Sequence, residues 1–564
     1  MNPLFAPRHL ADILPHHADR SGAAVAVRYK RDGCYRDLTW AEYHIHTRAC
    51  AAALVNQGLQ PGDRVGLWSE NRLEWLLADL GILTAGGVTV SPHASLSAAQ
   101  VHYQMADAQV RWLFVASAAQ LEKVRSLRSE LPALAGIVVF DAAAAGRDAI
   151  AWTDFLAQGR QLLDALTPEL ERRRAALGPD DLAALMYTSG TTGEPKGVML
   201  SHGNILSNVL ACLHAEPPAA DDVKLCWLPL SHIYARTVDH YERLVAGLVL
   251  CLAESVDTLV ANIAEIQPTH ISCVPRFYEK VVALTAHPDP AVRAAQLRGV
   301  FGPRIRFLGC GGAPLPAAIE QALRDAHLPI YPGYGLTESS PVITFNLSRR
   351  NKPFTVGVAL PGVEVQIAPD GEILTRGPHV MKGYWRNPEA TAAAIRDGWL
   401  HTGDLGSLDA DGFLTITGRK KELLVLSNGK KVIPTHIESL LVADPAIDQA
   451  CVYGEGRHFL TALLVPQWEY VRRALHLTGT AEELARHPDV HALLRQRVDA
   501  RLADVATYEQ VKKFLVLPQP FSVATDELTV SLKMRRNVIF ARYQPQLEAL
   551  YREEPPPAPV VAPG

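Results

Sequence analysis

Up to about residue 420, short apolar runs alternate with longer stretches whose apolar positions recur every three or four residues. The runs at 110–115, 136–140, 249–252, 270–274 and 306–308 have the character of strands buried on both faces, and the stretches between them read as covering helices. This alternation predicts an α/β fold with a large, multi-subdomain N-terminal body. No repeat of about 20–50 residues runs through it, which excludes a solenoid. Near 418–421 (Gly-Arg-Lys-Lys) the alternation gives way to a segment with its own helical stretch at 481–502, the pattern of a smaller α+β domain. The low-complexity patch 142–146 reads as a loop or helix cap, and the Pro/Ala-rich end as a frayed tail. The expected organisation is a body over 1–418, a C-terminal domain over 419–551 and a disordered tail over 552–564.

Composition narrows the classes. A length of 564 residues exceeds a single small binding module, and 48% apolar against 20% charged residues places the chain far from disorder. The 55 Lys and Arg nearly balance the 59 Asp and Glu, for a net charge of -4. That balance lacks the basic footprint of a protein held on nucleic acid, so nucleic acid is not an expected partner. Eight cysteines, at 34, 50, 212, 226, 251, 273, 310 and 451, form no CxxC pair and no close framework. They fit reduced core thiols and a cytoplasmic setting. The N-terminal stretch is broken by Pro3, Arg8, Asp12 and Pro15 and does not read as a secretion signal. The most apolar stretches, 76–90 and 244–253, fall short of the roughly 20 residues of a spanning helix. Peripheral membrane contact is compatible with this pattern, and nothing in it fixes an oligomeric state.

The most informative segment is 182–197, LAALMYTSGTTGEPKG. An apolar run, 182–186, reads as a strand and leads into Thr188, Ser189, Gly190, Thr191, Thr192 and Gly193, then Lys196 and Gly197. Glycines let the backbone fold around an anion, hydroxyls and main-chain N–H groups donate to phosphate oxygens, and Lys196 adds charge: a polyphosphate grip. It is not a Walker A loop, because Lys196 follows Pro195 and precedes Gly197.

This loop resembles the signature of the adenylate-forming superfamily: acyl-CoA synthetases, peptide-synthetase adenylation domains and luciferases. Further motifs follow in that superfamily's order. Tyr334, Gly335, Leu336, Thr337 and Glu338 match its YGxTE element, in which an aromatic beside a glycine can stack on adenine and a carboxylate is a hard oxygen ligand for Mg²⁺. The segment 309–313, with Gly311, Gly312 and Ala313, resembles a backbone wall against which a flat base or acyl carbonyl can lie. The segment 399–404 resembles WxxTGD, and the resemblance assigns Asp404 to the ribose hydroxyls, for which a carboxylate is a natural acceptor. Fifteen residues beyond Asp404, Arg419 would support the ribose, and Lys421 would occupy the hinge position. Lys533, in 527–536 (ELTVSLKMRR), matches the catalytic lysine of the adenylation step, with Val530 and Ser531 standing where the long-chain form has Pro and Thr.

Two further segments, 228–236 (LPLSHIYAR, with Ala235 in place of the usual Glu) and 274–280 (VPRFYEK), resemble the bacterial long-chain fatty acyl-CoA synthetase branch, as does 506–514 (ATYEQVKKF). The resemblance runs from about residue 6 to 551. It implies a ligase that activates a medium- to long-chain fatty acid as acyl-AMP, releases pyrophosphate and passes the acyl group to coenzyme A. ATP, Mg²⁺ (at Thr191 and Glu338) and coenzyme A are then the expected cofactors and co-substrates. His232 acts near the reacting carbonyl in thioester formation, unless it is a packed histidine. After adenylation the C-terminal domain swings about Lys421, withdrawing Lys533 and bringing the loop at Gly429 to the pantetheine arm. Three alternatives remain: an acyl-AMP ligase loading a carrier protein, a ligase for an aryl or polyketide-like acid, and a non-catalytic acyl or nucleotide binder. The uninterrupted run 422–429 favours coenzyme A over a carrier protein, because carrier-loading relatives carry an insertion after the hinge motif.

Overall fold

The structure, a computed structural model, describes residues 5–188, 194–529 and 534–552, without the side chain of Lys421. The chain divides into two compact units: Met1–Thr402 with Gly406–Ile416, and Gly403–Leu405 with Thr417–Gly564.

The first unit is built on two large mixed sheets. One runs, in spatial order, Gly383–Tyr384, Lys196–Ser201, Leu182–Thr188, Val88–Val90, Arg64–Trp68, Trp112–Val115, Gly136–Val139 and Ile150–Ala151. Its strands pair in parallel except at the first edge, where Leu182–Thr188 meets Lys196–Ser201 antiparallel and the latter meets Gly383–Tyr384 antiparallel. The other holds nine strands, with Phe307–Cys310 between His270–Cys273 and Ile330–Gly335. The central strands Val88–Val90, Trp112–Val115 and Phe307–Cys310 are buried at every residue, which is why they read as continuous apolar runs. Seven of the eight cysteines are buried, Cys34 is exposed, and all are free thiols.

The second unit has a three-stranded sheet, Ile447–Tyr453, Leu460–Pro466 and Val511–Val516, and its own apolar core. The helix expected over 481–502 is in fact two, Ala481–Leu484 and Pro488–Arg501. Pro488 cannot donate to a continuing helix and drives the preceding residue out of the helical region: His487 sits at φ -75, ψ 129. The segment 142–146 forms a 3₁₀ turn at Ala142–Ala144. The tail residues 553–564 lie outside the described residues. Among the described residues, no helix is long and apolar enough to cross a membrane.

Candidate active site

The phosphate-loop segment is the connection of a β-hairpin. The strand expected over 182–186 continues to Thr188, which pairs with Lys196 across the hairpin. Both residues are half-buried. Ser189, Gly190, Thr191, Thr192 and Gly193 lie outside the described residues. Tyr103 fixes the loop's far end by donating its hydroxyl to the Pro195 carbonyl at 3.2 Å. The helix His202–Ala215 follows immediately, closed by a reciprocal cap between Ser201 and Asn204. Asn204 then donates to the carbonyls of Pro378 and Val380, both at 2.8 Å.

Those two bonds deliver a segment that periodicity did not single out. Met381 N–H donates to the Glu338 carbonyl at 2.9 Å, and Gly383–Tyr384 pairs with Val198–Met199. Trp385 N–H donates to the Gly197 carbonyl at 2.7 Å. The Tyr384 hydroxyl donates to Glu338 Oε1 at 2.9 Å, and the Lys196 ammonium stands 5.2 Å from the centre of the Tyr384 ring. Burial, and then the Glu338 carboxylate, push the Tyr384 phenol well above its ordinary pKa of 10, so it is a donor at neutral pH. Tyr384 therefore ties two of the predicted residues together.

Glu338 sits in the 3₁₀ turn Thr337–Ser339, just past the strand Ile330–Gly335 that carries Tyr334. Gly335 is required there, because a Cβ would fall 1.8 Å from the Pro341 carbonyl oxygen. Ser339 Oγ donates to the Pro341 carbonyl at 2.6 Å and Leu336 N–H donates to the same oxygen at 3.0 Å, pinning the turn. Glu338 Oε2 has no hydrogen-bond partner among the described residues. No group of three or more His, Cys, Asp or Glu poised for a metal occurs among the described residues. A single available carboxylate fits Mg²⁺, which is commonly held by one or two carboxylates together with substrate phosphates.

Gly311 is buried, whereas Gly312 and Ala313 are exposed. A Cβ on Gly311 would stand 3.3 Å from the Tyr234 ring, so Tyr234 lies against this backbone wall. Tyr234 belongs to the His232 segment, which Asn71 holds by donating to the Leu228 carbonyl at 2.7 Å and accepting from Leu230 N–H at 2.8 Å. His232 Nδ1 accepts from Tyr234 N–H at 3.2 Å, which places the neutral ring's proton on Nε2. Its ring lies 6.1 Å from that of His93, whose Nδ1 is 2.8 Å from Ser231 Oγ. The chain then enters a π-helix, Ala235–Tyr241, in which Arg236 is fully buried and paired with Asp79.

In the second unit, Asp404 is buried (4% exposed) and Arg419 Nε stands 2.8 Å from its Oδ1. The WxxTGD segment lies inside the strand Trp399–Leu408, and Gly403 takes φ +74 immediately before Asp404. Gly403 and Asp404 stay within the strand, which pairs with Leu414–Arg419. Gly429 is exposed in a turn closed by its N–H donating to the Leu426 carbonyl at 2.8 Å. Lys533 lies outside the described residues, and so does the side chain of Lys421.

The two mixed sheets and the separate C-terminal unit define the fold class, an α/β body followed by a smaller α+β domain. Residues 14–385 match the AMP-binding enzyme family and residues 421–555 match the AMP-binding enzyme C-terminal domain, so the chain belongs to the AMP-binding enzymes. It is 35% identical to the long-chain-fatty-acid--CoA ligase FadD15 of Mycobacterium tuberculosis, covering 94% of this chain and 95% of that one. Fatty acyl-CoA synthetase A of Dictyostelium discoideum is 28% identical, covering 96% and 91%. Among solved structures, ATP-bound MatB from Rhodopseudomonas palustris is similar with a TM-score of 0.76 at 26% identity, covering 95% of this chain and 99% of that chain.

Proposed function

We propose that this protein is an AMP-forming ligase that converts a medium- to long-chain fatty acid to its coenzyme A thioester. The observation that carries the reading is the 35% identity, along nearly the whole of both chains, to a long-chain-fatty-acid--CoA ligase. The geometry supports it: the phosphate-loop strands, Glu338 and Lys196 are joined through Tyr384 in one unit.

A carboxylate does not acylate a thiol directly at neutral pH, because oxide is a poor leaving group. In the first half-reaction a fatty carboxylate oxygen bonds to the α-phosphorus of ATP, the bond to the bridging oxygen breaks, and pyrophosphate departs. In the second, the coenzyme A thiol gives up its proton to solvent, its sulfur bonds to the acyl carbonyl carbon, and the bond from that carbon to the phosphate oxygen breaks, releasing AMP. Negative charge develops on phosphate oxygens in the first step, so preorganised donors act electrostatically: the N–H groups and hydroxyls of 188–193, Lys196 and Lys533. Glu338 and Thr191 would hold Mg²⁺, which would supply charge neutralisation at the phosphates. Asp404, oriented by Arg419, accepts from the ribose hydroxyls, and the Tyr334 ring and the Gly311–Gly312–Ala313 backbone flank the base. His232 serves the thioester step. A body over 1–418 and a lid over 419–551, turning about Lys421 to exchange Lys533 for the Gly429 loop, give each half-reaction its own groups.

The test is to mix protein, ATP, Mg²⁺ and palmitate and measure pyrophosphate, then add coenzyme A. Pyrophosphate followed by palmitoyl-CoA is the expected result. Pyrophosphate with acyl transfer only to a carrier protein would replace the acceptor. No pyrophosphate with any acid of a broad panel would identify a binder.

A further inference from the structure

Resting on the reading above, we infer that Tyr384 is a positioning residue for the nucleotide site: its hydroxyl fixes Glu338 Oε1 so that Oε2 is presented to the cation of Mg·ATP, while its ring shields Lys196 at the base of the phosphate loop.

Three observations converge on this side chain. Its hydroxyl donates to Glu338 Oε1 at 2.9 Å. Its ring faces the Lys196 ammonium at 5.2 Å, and its backbone pairs with Val198 on the strand that begins at Lys196. The backbone of Glu338 is also tied to this segment, through Met381 N–H. Glu338 thus has both its carbonyl and one carboxylate oxygen taken by residues 381–384, while Oε2 has no partner among the described residues. A carboxylate on a flexible side chain loses rotamer freedom when it binds a cation, and a neutral donor on one oxygen supplies that order beforehand.

The segment is itself tightly set. Tyr384 N–H donates to Thr391 Oγ1 at 2.9 Å, and Gly383 admits no side chain, because a Cβ would fall 2.7 Å from Thr391 Cγ2. Asn387 caps the helix Pro388–Ala394 that carries Thr391. Tyr384 is thereby anchored independently of the phosphate loop and of Glu338.

The two parts of the side chain separate experimentally. Tyr384→Phe removes the hydroxyl and keeps the ring; Tyr384→Leu removes both. The readouts are ATP affinity by calorimetry, with Mg²⁺ and with EDTA, and Mn²⁺ binding to the ATP complex by electron paramagnetic resonance. For Tyr384→Phe, the Mg²⁺ concentration that half-saturates ATP binding should rise up to about tenfold, as expected when the Glu338 side chain must be ordered on binding and not beforehand. ATP affinity in EDTA should stay within about twofold, and the melting temperature should fall by only a few degrees, as one internal hydrogen bond is lost. Tyr384→Leu should also weaken binding in EDTA. An unchanged Mg²⁺ midpoint in Tyr384→Phe, or equal losses with and without Mg²⁺, would overturn the inference. Failure of the wild-type protein to release pyrophosphate with any acid would overturn the ligase reading instead, and the cation dependence of ATP binding would still decide the role of Tyr384.

Discussion

Arg419 Nε lies 2.8 Å from Asp404 Oδ1, which links the end of one strand to the middle of its neighbour and fixes a buried carboxylate at the place expected to receive the ribose. A buried carboxylate is costly unless paired, so the pair orients Asp404 before any nucleotide arrives. Asp404→Ala should raise the KM for ATP by about tenfold or more in pyrophosphate exchange, the scale of a lost charge-assisted hydrogen bond. Arg419→Ala should act in the same direction, and the double variant should lose little more than Asp404→Ala. Fully additive losses would separate the two roles.

Lys533 is expected to act only on adenylation. Lys533→Ala should reduce pyrophosphate release by at least about a hundredfold, in the range of removing one electrostatic stabiliser, while coenzyme A thioester still forms from supplied acyl-AMP. Lys421→Pro should show the reverse bias, harming thioester formation more than adenylation. Equal loss of both half-reactions in either variant would remove that residue's assignment.

Asp79 and Arg236 are both fully buried and paired, and Asp79 also accepts from Tyr241 Oη at 2.7 Å and Thr89 Oγ1 at 2.8 Å. Breaking a buried pair on one side leaves an uncompensated charge and costs about 3–5 kcal/mol. Asp79→Ala should therefore lower the melting temperature of the first unit sharply. Asp79→Leu combined with Arg236→Met should lose clearly less, because no lone charge remains. Scanning calorimetry distinguishes the two cases, and a double-variant loss equal to the sum of the two single-variant losses would show that the pair is not coupled.

Acid should destabilise the first unit through its buried histidines. Burial holds His17 at about 4 and His202 at about 3, against an ordinary 6.5, so both are neutral in the native state. His202 Nδ1 accepts from Leu10 N–H at 3.2 Å, a bond that protonation removes. The unfolded chain takes up these protons below about pH 6.5 and the folded chain does not, so the stability is complete above 6.5 and is lost as pH falls through 4 towards 3. His202→Gln retains an acceptor without a titrating ring. It should flatten the fall in melting temperature between pH 6.5 and 4, and an unchanged slope would remove His202 from the account.

The sequence by itself determined much of this protein. Strands buried on both faces have no polar face to alternate, so Trp112–Val115, Val249–Leu252 and Phe307–Cys310 stand out as apolar runs. The ordered motifs, through their resemblance to the adenylate-forming superfamily, singled out Glu338, Asp404 and Arg419 as candidate site residues, because motifs of residue types are written in the chain. Tertiary structure alone decided what those residues touch. Tyr384 is 46 residues from Glu338 in sequence, and no local period links them; they meet because Gly383–Tyr384 adds an edge to the strand that leaves the phosphate loop. Asp79 and Arg236 are 157 residues apart and pair only because the π-helix turns Arg236 into the core. A pattern along the chain records how each segment faces solvent, whereas such pairings depend on which segments the sheets bring side by side.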